Sequence, residues 1–135
     1  MQANENIFLW RRYIDDVFAA LINDTTAESI LDMANNIADG IHFTIEKPSE
    51  RGKLPFLDCL VSLNVQTLPF TTEFYSKELH SNHLLPYDSN VPHSRKIALL
   101  KSERLRARRI CSSEHNFKRA LKFSKLRFQA NGYPL

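Results

Sequence analysis

Ile7-Phe8-Leu9-Trp10-Arg11-Arg12-Tyr13-Ile14-Asp15-Asp16-Val17-Phe18-Ala19-Ala20-Leu21-Ile22 is the stretch on which the reading of this chain turns. Two apolar runs flank a polar centre. Ile7–Trp10 and Val17–Ile22 carry the branched and aromatic residues that suit a pleated surface. Aspartate is a poor strand residue and a good turn residue, so Asp15-Asp16 belongs at the tip of a β-hairpin. Adjacent carboxylates at a tip repel each other, and a divalent cation removes that penalty. Magnesium commonly takes one or two carboxylates together with phosphate oxygens. A DD pair alone is more simply a solvated turn. A DD pair enclosed by two apolar strands is far more restrictive.

Outward from the hairpin, Thr25 with Glu28 three residues later reads as a capping box, with Asp24 adding charge at the helix start. Ile30, Met33, Ala34 and Ile37 follow at helical spacing, and Gly40 is placed to stop the helix. His42–Glu46 alternates, with Phe43 and Ile45 on one side, and reads as a strand. Pro48–Lys53 is a turn. Leu54–Leu63 reads as one buried strand, and Phe70–Tyr75 pairs with it as a hairpin. Residues 77–92 are an irregular connection. Ser94 is placed to cap a helix running to about Cys111, and Ser113 to cap a second from Glu114 to Ala130, ended by Gly132 and Pro134. The expected class is α+β: a small antiparallel sheet with one packed helix over residues 1–76, a connection over 77–91, and two or three helices over 92–135. A helical pair with so tight a turn is a helical hairpin or a helix-turn-helix.

Charge divides the chain more sharply than composition does. Residues 1–90 hold 13 acidic and 6 basic side chains, while residues 91–135 hold 2 acidic and 12 basic ones. Such a basic end suits a polyanion. Helical spacing puts Lys101, Arg104 and Arg108 on one side of the first helix and Lys118, Lys122 and Lys125 on one side of the second. Arg95, Lys96 and Arg109 add to the basic set. Rows of this kind meet phosphates and give sequence-independent, salt-sensitive binding. The competing reading is a solvated helical face. Phe117, Phe123 and Phe128 could stack on bases, but their helical spacing favours core packing.

With 135 residues, 43% of them apolar, the chain is long enough to bury a core. Its longest unbroken apolar run is far short of the roughly 18 to 20 residues that span a bilayer. No secretory signal is visible, so the expectation is an intracellular protein, nuclear or cytoplasmic, with Cys59 and Cys111 as free thiols. Trp10 is expected beneath the hairpin, and Asp58 as a satisfied buried or strand-end carboxylate. His80-Ser81-Asn82-His83, His93 and the two cysteines lack zinc-site spacing.

Arg12-Tyr13-Ile14-Asp15-Asp16-Val17-Phe18 resembles the YxDD active-site hairpin of reverse transcriptases. Leu54-Pro55-Phe56-Leu57-Asp58, Phe74-Tyr75-Ser76-Lys77, Asn90-Val91-Pro92-His93-Ser94-Arg95-Lys96, Arg108-Arg109-Ile110-Cys111 and Asn131-Gly132-Tyr133-Pro134 resemble, in order, elements of the reverse transcriptases of Penelope-like retroelements. The resemblance implies the second half of a polymerase palm followed by a helical thumb, a region also described as helix-turn-helix-like. It implies Asp15 and Asp16 as catalytic ligands of magnesium or manganese, Tyr13 near the primer terminus, Lys77 close to the nucleotide or primer, and an RNA–DNA or DNA primer-template as partner. It implies neither membrane nor small-molecule cofactor. The family's third palm aspartate and its fingers lie upstream of the YxDD hairpin. The chain therefore reads as a fragment, inactive alone, whose missing part could act in trans. The alternative is a non-enzymatic helix-turn-helix module that binds nucleic acid, and a third reading is a remnant without function.

Overall fold

A computed structural model describes residues 7–21, 26–64, 68–76 and 83–135. The chain falls into two compact units, Met1–Lys47 and Pro48–Leu135. It is α+β, with small antiparallel sheets and one short helix followed by two C-terminal helices.

In the first unit, β1 (Ile7–Tyr13) pairs antiparallel with β2 (Asp16–Leu21), from Tyr13↔Asp16 at the tip to Ile7↔Leu21. The two-residue loop is Ile14-Asp15, and Ile14 sits at φ 54°. A β-branched residue in the left-handed region is costly, because Cβ crowds the following carbonyl. Trp10 stays 41% exposed rather than packing beneath the hairpin. The short helix α1 (Ala27–Asn35) is capped by Thr26, whose side chain accepts from the Ser29 amide at 3.3 Å. Thr25 and Asp24 lie outside the described residues. The helix ends at Asn35, well before Gly40, and leaves Ile37 outside it and exposed.

The alternating stretch His42–Glu46 forms no strand. Its backbone is held at Phe43, where the Asn35 side chain accepts from the amide at 2.6 Å and donates to the carbonyl at 3.3 Å. Alternation alone does not make a strand. A ladder needs a neighbouring strand, and among the described residues none lies alongside.

In the second unit, Leu54–Leu63 is two strands rather than one. The chain reverses at Leu57-Asp58, with Leu57 at φ 52°, so that β3 (Lys53–Phe56) pairs with β4 (Cys59–Asn64). β5 (Leu68–Phe74) pairs with β4, as the expected hairpin, giving the order β3-β4-β5. Two long helices follow, α2 (His93–Ile110) and α3 (Glu114–Ala130). α2 begins after Pro92 without a side-chain cap, so Ser94 lies inside it. Proline fixes φ and has no N–H to lose at a helix start, so it marks the boundary without a serine. α3 begins as expected, with Ser113 accepting from the Asn116 amide at 3.1 Å.

The core of this unit forms where small residues let the helices and the sheet approach. Ala107, Cys111, Phe117 and Ala120 make one buried cluster, with Phe74 of β5 and Leu121 packed against it. Phe128 is 2% exposed, and burial of such a ring contributes about 2–3 kcal/mol. It stacks edge-on against the buried Tyr133, with ring centroids 4.9 Å apart. β5 is an edge strand, and the α2–α3 turn closes its edge. The Thr72 amide donates to Ser112 Oγ at 2.9 Å, and the Ser112 amide and the Asn116 side chain donate to the Thr72 carbonyl at 3.0 and 3.2 Å. An edge covered in this way is not a template for further strands.

Candidate nucleic-acid interface

The helical turn Cys111-Ser112-Ser113 joins α2 to α3, and its anchoring on Thr72 holds the two helices to the sheet. The irregular segment ahead of α2 is tied to the end of α3. The Leu84 amide donates to the Asn131 side chain at 3.0 Å, the Tyr87 amide to the Asn131 carbonyl at 3.0 Å, and the Tyr133 hydroxyl to the Leu85 carbonyl at 3.0 Å. Residues from 83 to the end therefore fold as one structure around the two helices.

On that scaffold the basic side chains divide by what faces them. Those on the sheet side are tied down. Arg106 pairs with Asp58 and, at 3.3 Å, with Glu103, and its guanidinium lies 5.5 Å from the Phe74 ring centroid. Arg119 reaches Glu73 of β5 at 3.0 Å, and Glu73 also holds Lys53 at 2.6 Å. Asp58 sits in the β3–β4 turn just before β4, half exposed rather than buried, as the partner of Arg106.

Lys101, Arg104, Lys118, Lys122 and Lys125 are exposed, and none has an ion-pair partner among the described residues. Their spacings, i, i+3, i+7 on α2 with Arg108 and i, i+4, i+7 on α3, make one row per helix. The rows meet at the turn. Arg108 donates to Glu114 at 2.7 Å, and its guanidinium lies 5.0 Å from the Phe117 ring centroid. Glu114 opens α3 one turn before Lys118. Arg95 and Arg109 are exposed too, on another line of α2.

Lys96 stands apart. It is buried, its ammonium donates to the Tyr87 carbonyl and, at 2.8 Å, to the Ser89 carbonyl, and it lies 5.1 Å from the Tyr87 ring centroid. Its charge holds the segment before α2 rather than facing solvent. Lys77 and His80 lie outside the described residues. Of the three phenylalanines on α3, Phe117 and Phe128 are core residues, whereas Phe123 is 40% exposed. Cys111 is buried in the cluster, and burial pushes the Cys59 thiol up from its ordinary range.

At the other candidate site, Asp15 and Asp16 are both exposed at the hairpin tip, with Tyr13 beside them. Arg12 turns back to donate to the Ile14 carbonyl at 2.6 Å and is not an ion-pair partner of either carboxylate. The two carboxylates fit a magnesium ion as part of a ligand set. Among the described residues no third acidic, histidine or cysteine side chain joins them, so no metal-dependent step is assigned to this chain by itself.

Comparison with known families adds one finding. Residues 83–135 match the animal helix-turn-helix domain. The matched span begins where the segment ahead of α2 becomes tied to α3, so the helix-turn-helix domain here consists of that segment, both helices and the chain end. No curated protein and no solved structure matches the chain. Among the described residues no helix is long and apolar enough to cross a membrane.

The signal for the two rows was present in the sequence as spacing. The signal that separates Lys96, Arg106 and Arg119 from them was not, because, the Glu103 partner of Arg106 apart, their partners lie 7 to 48 residues away along the chain.

Proposed function

We propose that the helix-turn-helix domain binds double-helical nucleic acid through its phosphates, without enzymatic activity of its own. The observation that carries this is the pair of exposed cationic rows on α2 and α3, joined at the turn and, Arg108 apart, free of acidic partners among the described residues. Each lysine or arginine that neutralises a phosphate releases condensed counterions, so affinity falls steeply with salt. At the start of α3, where a recognition helix reads base edges, Glu114 is taken by Arg108 and Asn116 by the Thr72 carbonyl, which leaves His115 exposed between them. Contacts to the backbone therefore dominate over readout of sequence.

The test is fluorescence anisotropy with a labelled RNA–DNA duplex and a DNA duplex at two salt concentrations. A variant carrying Lys101→Glu, Arg104→Glu, Lys122→Glu and Lys125→Glu breaks no ion pair among the described residues. Binding should weaken with salt in the native protein. Every phosphate that the variant no longer neutralises should flatten the log–log salt slope by about one. Absence of binding at low salt would leave the rows as a solvated face.

A second reading rests on the β1–β2 hairpin and its exposed Asp15-Asp16 tip. Under it the chain is part of an RNA-directed DNA polymerase related to those of Penelope-like elements. Asp15 and Asp16 then hold magnesium or manganese together with an aspartate supplied from elsewhere, Tyr13 lies near the primer terminus, and Lys77 near the primer or nucleotide. The in-order motif resemblance and the hairpin register support it. It gives the chain a role only within a complete polymerase.

A further inference from the structure

Away from the cationic rows, α3 forms one wall of a groove of about 250 Å³, and the end of β5 with the two residues after it forms the other. Tyr75 and Ser76 line one side. Asn116, Arg119 and Phe123 line the other, at the i, i+3 and i+7 positions of a single helical face.

We propose that this groove takes one unpaired nucleobase from a single-stranded stretch adjoining the bound duplex, which extends the nucleic-acid reading above and rests on it. A base needs a ring to stack on and polar groups at its edge. Phe123 presents a ring that is 40% exposed, with Phe74 6.4 Å away between centroids, and the part-exposed Tyr75 offers a second. The Tyr75 and Ser76 hydroxyls have no hydrogen-bond partner among the described residues. Asn116 donates its amide N–H to the Thr72 carbonyl, and its Oδ1 has no hydrogen-bond partner among the described residues. Donors and acceptors are thus both at hand.

Polar groups select a base over an apolar side chain. Glu73 at the groove wall is engaged by Lys53 and Arg119. An aliphatic side chain of another protein would leave the two hydroxyls and Oδ1 unpaired, which is costly once water is excluded. Arg119 is largely exposed despite its bond to Glu73, and Lys122 follows it one turn along α3. These two cations lead from the α3 row to the groove mouth, a path for the phosphates on either side of the inserted base.

The experiment compares a blunt duplex with the same duplex carrying a short single-stranded tail, by anisotropy, on the whole chain. The tailed duplex should bind about tenfold more tightly, in line with stacking of one base on an aromatic ring. Phe123→Ala should abolish that preference and change blunt-duplex affinity less than about twofold. As a measurement independent of any variant, 5-iodouridine placed in the tail should photocrosslink to Tyr75 or Phe123, mapped by mass spectrometry. Equal affinity for tailed and blunt duplexes, or crosslinks confined to the α2 and α3 lysine rows, overturns this inference and leaves duplex binding standing. Failure of both duplexes to bind at low salt overturns the two together.

Discussion

Lys96 and Lys101 are five positions apart on one helix and do opposite work. Lys96 meets two carbonyls and an aromatic ring, so its charge is spent on holding the segment ahead of α2. Lys101 meets no acidic partner among the described residues and stays in water. Residue type does not separate them; the tertiary neighbours do. The same scale governs Asp15 and Asp16. If the hairpin binds metal jointly with nucleic acid, magnesium should strengthen binding of a primer-template in the presence of a nucleotide. Asp15→Asn and Asp16→Asn should remove that gain. If only the cationic rows are at work, magnesium competes as a counterion and weakens binding. The sign of the magnesium effect, read by anisotropy at constant ionic strength, decides between the two.

At the scale of elements, the cap explains where the reading of α3 succeeded, whereas α2 starts at Pro92 without the expected Ser94 cap. Ser113 stands immediately before a periodic apolar run, and the serine-amide bond at the α3 start is what that position is for. Ser113→Ala should cost about 1 kcal/mol, seen as a lower midpoint in urea unfolding followed by helical circular dichroism. Two failures concern strands. His42–Glu46 has the alternation of a strand without a neighbour to pair with. Leu54–Leu63 has the uniform apolarity of a buried strand, and it hides a reversal at Leu57-Asp58 that lacks the glycine expected of a tight turn. Periodicity reports which faces are apolar. It says nothing about whether a partner strand is present, and turn chemistry stays invisible when a leucine adopts a conformation that usually falls to glycine.

For the whole molecule, the buried apolar side chains of the described residues are concentrated after residue 90, with Ile30 the one such residue among those described in the first unit. Within the second unit, Phe74 of β5 packs against the Ala107–Ala120 cluster, and Phe128 stacks on Tyr133. A chain of residues 48–135 should therefore unfold as one cooperative transition and keep the salt-dependent duplex affinity of the full protein to within about threefold, or about 0.7 kcal/mol. Loss of the cooperative transition in that shorter chain would mean the first unit supplies part of the core. The α+β class, the β1–β2 hairpin with its carboxylate tip, the helix-turn-helix of α2 and α3 (though not the segment from residue 83 that belongs to the matched span) and both cationic rows were legible in the amino-acid order. Each depends on periodicity, caps or charge spacing within about twenty residues, and these act along the chain. The base-sized groove beside Phe123, the burial of Lys96, the pairing of Arg106 with Asp58 and of Arg119 with Glu73, and the sealing of the β5 edge at Thr72 were decided by tertiary structure alone. They arise where residues roughly ten to fifty positions apart meet, and only packing determines which polar groups find partners and which are left facing solvent.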